Sequence, residues 1–199
     1  MSRRPVGFVA VLALLWLQVG IASGSRFTGF TSVVPLGADS GALEGDAASD
    51  QFGASVANAG DVNGDGYPDL IVGAPGVLAP SGGVGSARVV SGQDGAILYV
   101  FHAAPEGREF GVSVAGAGDV NADGFADLVV GDPAEIGPYD EANDLSRLGV
   151  AHVYSGLDGA ELHLLAGTGF FWFGASVAGA GDVNQDGYGD VAVGAPFHD

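Results

Sequence analysis

The sequence predicts an all-β fold built from a repeated unit of four short strands, and three observations carry this. One motif order recurs three times, beginning at Phe52, Phe110 and Phe173, with a period of about sixty residues. The apolar runs inside it are short, β-branched or aromatic, and bounded by Gly, Pro, Asn and Asp. No long segment with helical periodicity follows residue 24.

The first 24 residues stand apart. Arg3 and Arg4 precede an apolar run from Val6 to Ile21 and the small residues Ala22-Ser23-Gly24. This is the tripartite form of a secretory signal over residues 1–24, cleaved after Gly24 or Ala22. The competing reading is an uncleaved anchor, but the run is shorter than the ~20 residues a spanning helix needs. The expected location is secreted, extracellular or at the cell surface, with no transmembrane segment after signal removal.

Composition narrows the function classes. The 199 residues hold 24 acidic and 6 basic side chains, a net charge of −18. Nucleic-acid binding is excluded, because neutralising phosphates requires clustered Lys and Arg. A hydrophobic fraction of 47% is enough for a core, so acidity does not imply disorder. With no cysteine there is no disulfide, thiolate metal site or cysteine nucleophile.

The elements follow in order. Residues 25–51 read as an N-terminal strand and loop, 52–109 as a first unit, 110–172 as a second, and 173–199 as an incomplete third. Each unit opens with Phe-Gly and a strand of small residues: Ser55-Val56-Ala57, Ser113-Val114-Ala115 and Ser176-Val177-Ala178. An aspartate-rich stretch comes next. A continuous apolar strand such as Leu70-Ile71-Val72 then runs to Gly73-Ala74-Pro75, as expected for burial on both faces. Arg88-Val89-Val90 and Ile97 to Phe101 form a hairpin through Asp94-Gly95. The marker Ser91-Gly92-Gln93-Asp94-Gly95-Ala96 returns as Ser155-Gly156-Leu157-Asp158-Gly159-Ala160. The extra length of the second unit falls in Ala134 to Gly149, a polar surface loop. Four strands per unit fits a propeller blade, with small residues crowding toward a central axis.

The aspartate stretches carry the chemistry. Asp61, Asn63, Asp65 and Asp69 stand at loop positions 1, 3, 5 and 9, as do Asp119, Asn121, Asp123 and Asp127, and Asp182, Asn184, Asp186 and Asp190. Position 6 is glycine, where a tight turn needs a permissive φ. Position 7 is Tyr67, Phe125 or Tyr188, and a phenylalanine can ligate only through its main-chain carbonyl. An all-oxygen set of this size suits Ca2+ with its 6–8 ligands, at about three sites. No thiolate or imidazole favours zinc or copper. Asn, Asp and Gly also favour plain turns, yet threefold recurrence at identical positions exceeds what turns require. An EF-hand is excluded because position 12 is Val72, Val130 or Val193 instead of glutamate. A dockerin loop would continue into a helix, whereas Asp69 leads into a strand.

Phe52-Gly53 with Gly73-Ala74-Pro75, Phe110-Gly111 with Gly131-Asp132-Pro133, and Phe173-Gly174 with Gly194-Ala195-Pro196 resemble the FG-GAP repeat of integrin α-subunit β-propellers and their bacterial relatives. The resemblance implies calcium between the first two strands of each blade, on one face of a seven-bladed ring. It implies as ligands the side chains at positions 1, 3, 5 and 9 and the carbonyl at position 7. Three loops make a partial propeller of about three blades, so the chain reads as a fragment of such a ring. Phe30 to Val34 then becomes an orphan outer strand, and an open edge near Val191 to Val193 would let copies associate.

Catalytic constellations are weak. His102, His152, His163 and His198 share no ligand spacing, Glu106 and Glu109 read as loop charges, and no nucleophile elbow or phosphate loop occurs. Phe170-Phe171-Trp172 reads as packing between blades. The function expected is a secreted calcium-binding propeller that presents a binding or adhesion surface to an extracellular protein or glycan, not an enzyme. The alternatives are a non-catalytic propeller part of an exported enzyme or a structural surface protein.

Overall fold

The structure is a computed structural model, and it describes residues 43, 45–46, 50–76, 85–103, 109–134, 149–167 and 172–196. The signal segment, Phe30 to Val34, most of the 134–149 loop, Glu106, Phe170-Phe171 and His198 lie outside the described residues. Ten strands appear among those described: β1 Ser55–Gly60, β2 Asp69–Ala74, β3 Ser86–Val90, β4 Ile97–His102, β5 Ser113–Gly118, β6 Asp127–Asp132, β7 Val150–Tyr154, β8 Glu161–Ala166, β9 Ser176–Gly181 and β10 Asp190–Gly194. All pairing is antiparallel, in two four-stranded sheets, β1-β2-β3-β4 and β5-β6-β7-β8, and a two-stranded sheet of β9 and β10. These are blades of a partial β-propeller. Among the described residues no helix is long and apolar enough to cross a membrane.

The inner strands run three residues past the sequence expectation, and a bulge marks their ends. Gly60, Gly118 and Gly181 pair with Asp69, Asp127 and Asp190 after a register shift, at φ of 83°, 76° and 72°. A left-handed glycine next to a bulge bends the strand sharply. This bend carries the chain from each inner strand into its aspartate loop. The β3–β4 connection spans Ser91 to Ala96, longer than a two-residue turn, and closes on Ser91 N–H to Ala96 C=O at 2.8 Å. Asp94 and Gly95 sit inside it, with Gly95 at φ 80°.

The inner strands stack side by side, β5 against β1 and β9 against β5. Small residues are required there because main chain meets main chain. A Cβ on Gly116 would come within 2.7 Å of the Asn58 carbonyl oxygen, and one on Gly179 would overlap that of Gly116. The recurring glycines have the same explanation. Gly53, Gly111 and Gly174 donate to the carbonyls of Gly73, Gly131 and Gly194 at 2.9, 3.0 and 3.1 Å. A Cβ on Gly73 or Gly131 would overlap the carbonyl oxygen of Gly111 or Gly174 in the next blade. Ser55 and Ser113 add a side-chain clasp, their hydroxyls accepting from the Val114 and Val177 amides at 3.1 and 3.0 Å.

The second strands serve two cores at once. Leu128 and Val130 of β6 pack with Ile71, Val89 and Phe101 of the first blade, whereas Val129 packs with Val177 of the third. This two-sided burial is why the run has no polar alternation. Phe110 is fully buried at the first of these seams, edge-on to His152 at 5.3 Å. Fully burying such a side chain contributes about 2–3 kcal/mol. Phe52 lies beneath the Arg88 guanidinium at 5.0 Å, and Arg88 also pairs with Asp46. His152, the register equivalent of Arg88 in β7, contacts Glu161 at 2.7 Å. The histidines therefore occupy strand positions, as expected for His102, His152 and His163.

Gly131→Ala should reveal the blade contact. The methyl group meets a main-chain carbonyl, so the substitution is expected to destabilise the chain by about 1–3 kcal/mol in urea denaturation. Gly187→Ala, where no atom lies within 4 Å, carries only the left-handed backbone cost of ~1–2 kcal/mol.

Candidate metal centres

Each aspartate loop joins an inner strand to its second strand, and all three repeat one internal hydrogen-bond pattern. The position 1 carboxylate accepts from two amides: Asp61 from Asp65 and Gly66 at 3.0 and 2.8 Å, Asp119 from Asp123 and Gly124 at 3.0 and 2.9 Å, and Asp182 from Asp186 and Gly187 at 3.0 and 2.9 Å. The position 3 amide oxygen accepts from the position 5 amide in every loop, Asn63 and Asn121 at 3.0 Å and Asn184 at 2.9 Å. Its Nδ2 donates to the position 5 carboxylate of Asp65, Asp123 or Asp186 at 2.8–2.9 Å. That carboxylate also accepts from the position 7 amide of Tyr67, Phe125 or Tyr188. Asx-type turns thus wind the main chain around the carboxylates.

Backbone conformation explains part of the composition. Glycine at position 6 has φ of 85°, 91° and 92° for Gly66, Gly124 and Gly187. Position 4 is left-handed too, at 73° for Gly64 but also at 60° for Ala122 and 61° for Gln185. The sequence reading singled out position 6 alone. A side chain at position 4 holds a conformation that costs about 1–2 kcal/mol.

Position 9 is different. Asp69 and Asp127 are fully buried at the start of their strands, and each binds two amides. Asp69 accepts from Val62 at 2.8 Å and Gly92 at 3.0 Å; Asp127 accepts from Val120 at 2.7 Å and Gly156 at 2.9 Å. The carboxylate therefore ties its own loop to the hairpin turn between the outer strands. A Cβ on Gly92 or Gly156 would overlap the carbonyl at position 8, which is why that turn begins Ser-Gly. In the second blade the turn is also held from outside, because the Tyr99 hydroxyl contacts the Gly156 and Leu157 carbonyls at 2.9 and 3.1 Å. Burial first, then the charge of Asp158, keep the Tyr99 phenol above its ordinary range and so protonated. Sequence reasoning missed Gly92, Gly156 and Tyr99 as loop supports. The Ser-Gly-x-Asp-Gly-Ala marker was the available signal, recurring in phase with the loops.

Electrostatics sets what the loops can bind. Burial holds the Asp127 carboxyl above the usual aspartate range; the Gly156 and Val120 amides lower it in part, and Asp123 and Asp119 raise it. Ionised Asp127 is therefore disfavoured by its surroundings. Among the described residues, none of the nine loop carboxylates makes an ion pair. No three acidic or histidine side chains among the described residues stand together as a ready metal cluster, and the position 9 carboxylates of the first two loops are turned to two amides each. The donor chemistry still fits a hard divalent cation. Each loop offers three carboxylates, one amide oxygen and a carbonyl, and a carboxylate oxygen that accepts one N–H keeps a second lone pair.

Comparison with known proteins agrees with the repeat. The FG-GAP repeat family model matches residues 52–96, 110–153 and 173–199. The chain is similar to integrin alpha-6 of Gallus gallus, 33% identical over 98% of the chain and 20% of that protein. It is also similar to integrin alpha-3 of Cricetulus griseus, 31% identical over 94% of the chain and 18% of the relative. Against integrin alpha-8 of Homo sapiens the identity is 34% over 73% of the chain and 14% of the relative. The chain thus spans a fifth or less of the length of these curated relatives.

Three substitutions test the loop geometry in the presence of chelator. Asp127→Ala strands the buried Gly156 amide and the part-buried Val120 amide and should cost about 2–4 kcal/mol by urea denaturation, whereas Asp190→Ala, half-buried with only the Val183 amide, should cost about 1 kcal/mol. Ala122→Gly should instead stabilise the second blade by roughly 0.5–1 kcal/mol, since it relieves the left-handed strain.

Proposed function

The chain belongs to the FG-GAP repeat family, and from that premise we propose that it is an exported, calcium-binding propeller module whose blades present an extracellular binding or adhesion surface. The observation that carries the calcium reading is the threefold identical loop. Nine carboxylates sit in three equivalent frames with no protein cation paired to them among the described residues. Carboxylates drawn together around one point would repel by about 4 kcal/mol at ~4 Å and an effective dielectric of ~20. A divalent ion converts that repulsion into attraction and would also relieve the pressure that Asp119 and Asp123 place on Asp127. The residues that would hold it are the side chains of Asp61, Asn63, Asp65 and Asp69 with the Tyr67 carbonyl, and the matching residues of the other two loops. Calcium supplies a structural charge there and no reaction chemistry.

Export rests on the tripartite segment over residues 1–24, and the adhesion role rests on relatives that are integrin α chains. The partner class is an extracellular protein or glycan. Its recognition would fall on the loops between blades, because the two broad faces of each interior sheet are spent on neighbouring blades. The domain boundaries proposed with this reading are 52–109 and 110–172 for the first two blades and 173–199 for the third.

Calcium should stabilise the folded chain. With affinities typical of extracellular modules, ~0.1–1 mM, a tenfold excess contributes about 1.4 kcal/mol per site and about 4 kcal/mol over three. Melting temperature measured with calcium and with excess chelator should differ by several degrees or more. Superimposable melting curves would count against the calcium reading.

A further inference from the structure

Successive loops are joined to one another by main-chain hydrogen bonds. The Ala126 amide, at position 8 of the second loop, donates to the carbonyl of Asp61, position 1 of the first, at 3.1 Å. The Gly189 amide of the third loop donates in the same way to the Asp119 carbonyl of the second at 2.6 Å. Both bonds cross a blade boundary, and both use one main-chain amide and one main-chain carbonyl.

The peptide unit involved is significant. The N–H of Ala126 and the C=O of Phe125 are opposite ends of one planar amide, and no peptide bond among the described residues is cis. Fixing the N–H on Asp61 therefore fixes the direction of the Phe125 carbonyl, which is the position 7 donor of the second loop. At the other end, Asp61 is the residue whose carboxylate gathers the Asp65 and Gly66 amides of the first loop. Tyr188 and Gly189 stand in the same relation to Asp119. The first loop has Pro68 at position 8, which has no N–H to donate.

We propose that neighbouring loops bind cations as a linked series, in which occupancy of one loop raises the affinity of the next by orienting its position 7 carbonyl. This rests on the calcium reading above. Ordering Asp61 around an ion fixes its carbonyl, and that carbonyl holds the Phe125–Ala126 peptide in the donor-ready orientation. The ordering cost of the second loop is then partly met before its own ion arrives, which is positive linkage. Pro68 shows that this loop frame accepts proline at position 8, so Ala126→Pro removes the N–H without removing an oxygen. Ala126→Gly, the residue present at position 189, keeps it.

The test is a cycle on the full chain with calcium chloride, reading loop 2 through the Gly124 amide resonance. Disabling loop 1 by Asp65→Asn should weaken calcium at loop 2 about fivefold in the native and Ala126→Gly backgrounds. In the Ala126→Pro background the same change should shift it by less than about twofold. Equal weakening in all backgrounds would assign the effect to charge acting through space and overturn the linkage. An unchanged loop 2 constant in the native background overturns it equally. Should Ala126→Pro not fold, exchange of the Ala126 amide decides: calcium should slow it in the native chain, the same slowing should need about fivefold more calcium in Asp65→Asn, and equal calcium midpoints would overturn the linkage. Calcium filling three loops with independent constants removes the linkage alone, whereas a chain that takes up no calcium removes the calcium reading as well.

Discussion

The close approach of main chain to main chain between neighbouring blades is the constraint on which the rest of this structure depends. Gly73 faces the Gly111 carbonyl and Gly131 faces the Gly174 carbonyl with no room for a methyl group. The same glycines accept hydrogen bonds from the Phe-Gly turn of their own blade, so one residue sets both the turn and the spacing to the next blade. Stacking at this distance brings the inner strands into contact, which requires Gly116 and Gly179 along their length. It also brings each aspartate loop within hydrogen-bond reach of the one before it. Wider spacing would leave the blades intact and separate the loops.

A second layer of organisation comes from position 9. In the first two blades its carboxylate is buried at the base of the loop and binds an amide from the loop and another from the outer hairpin. A buried charge is tolerable only when its lone pairs are satisfied, and here main-chain dipoles do much of that. The remaining imbalance at Asp127 comes first from burial and then from the like charges of Asp123 and Asp119 at positions 5 and 1 of its loop. Tension between a packed carboxylate and its uncompensated neighbours is the electrostatic condition under which a divalent ion contributes most to folding.

Much of this was legible in the sequence because the determinants are local and repeated. The strand order, the two-sided apolar strand and the position 6 glycines each follow from residue type at a fixed spacing. Other features depend on what crosses a boundary. Ser55 and Ser113 look like ordinary strand residues until their hydroxyls are seen on the next blade's amides. Tyr99 reads as a β-former in an outer strand, yet its hydroxyl secures the turn that braces Asp127. The left-handed backbone at Ala122 and Gln185 was hidden because neither residue advertises it. The role of position 8 was illegible for a different reason: it is played by an amide, and Ala126 and Gly189 have no side chain that would announce it.

Position 2 shows how far such a blade depends on its neighbour. The residue is valine in all three loops, with the same short-range surroundings. Val62 is fully buried and contributes to the seam with Leu128 of the second blade, where it lies against Gly156. Val120 is half-buried beside the two-stranded third sheet, and Val183, with no following sheet among the described residues, is 69% exposed. One residue in one local frame thus spans the whole range of burial according to what is stacked beyond it. Its apolar character is not explained by its own blade alone, since Val183 stays mostly exposed where no further sheet is described. Stability in such an array is a sum of unit and nearest-neighbour terms, and at position 2 the neighbour supplies most of the burial: Val183 is 69% exposed without one, Val62 fully buried with one. The aspartate loop and the blade seam are therefore one structure: the valine between loop positions 1 and 3 packs into the seam with the next blade.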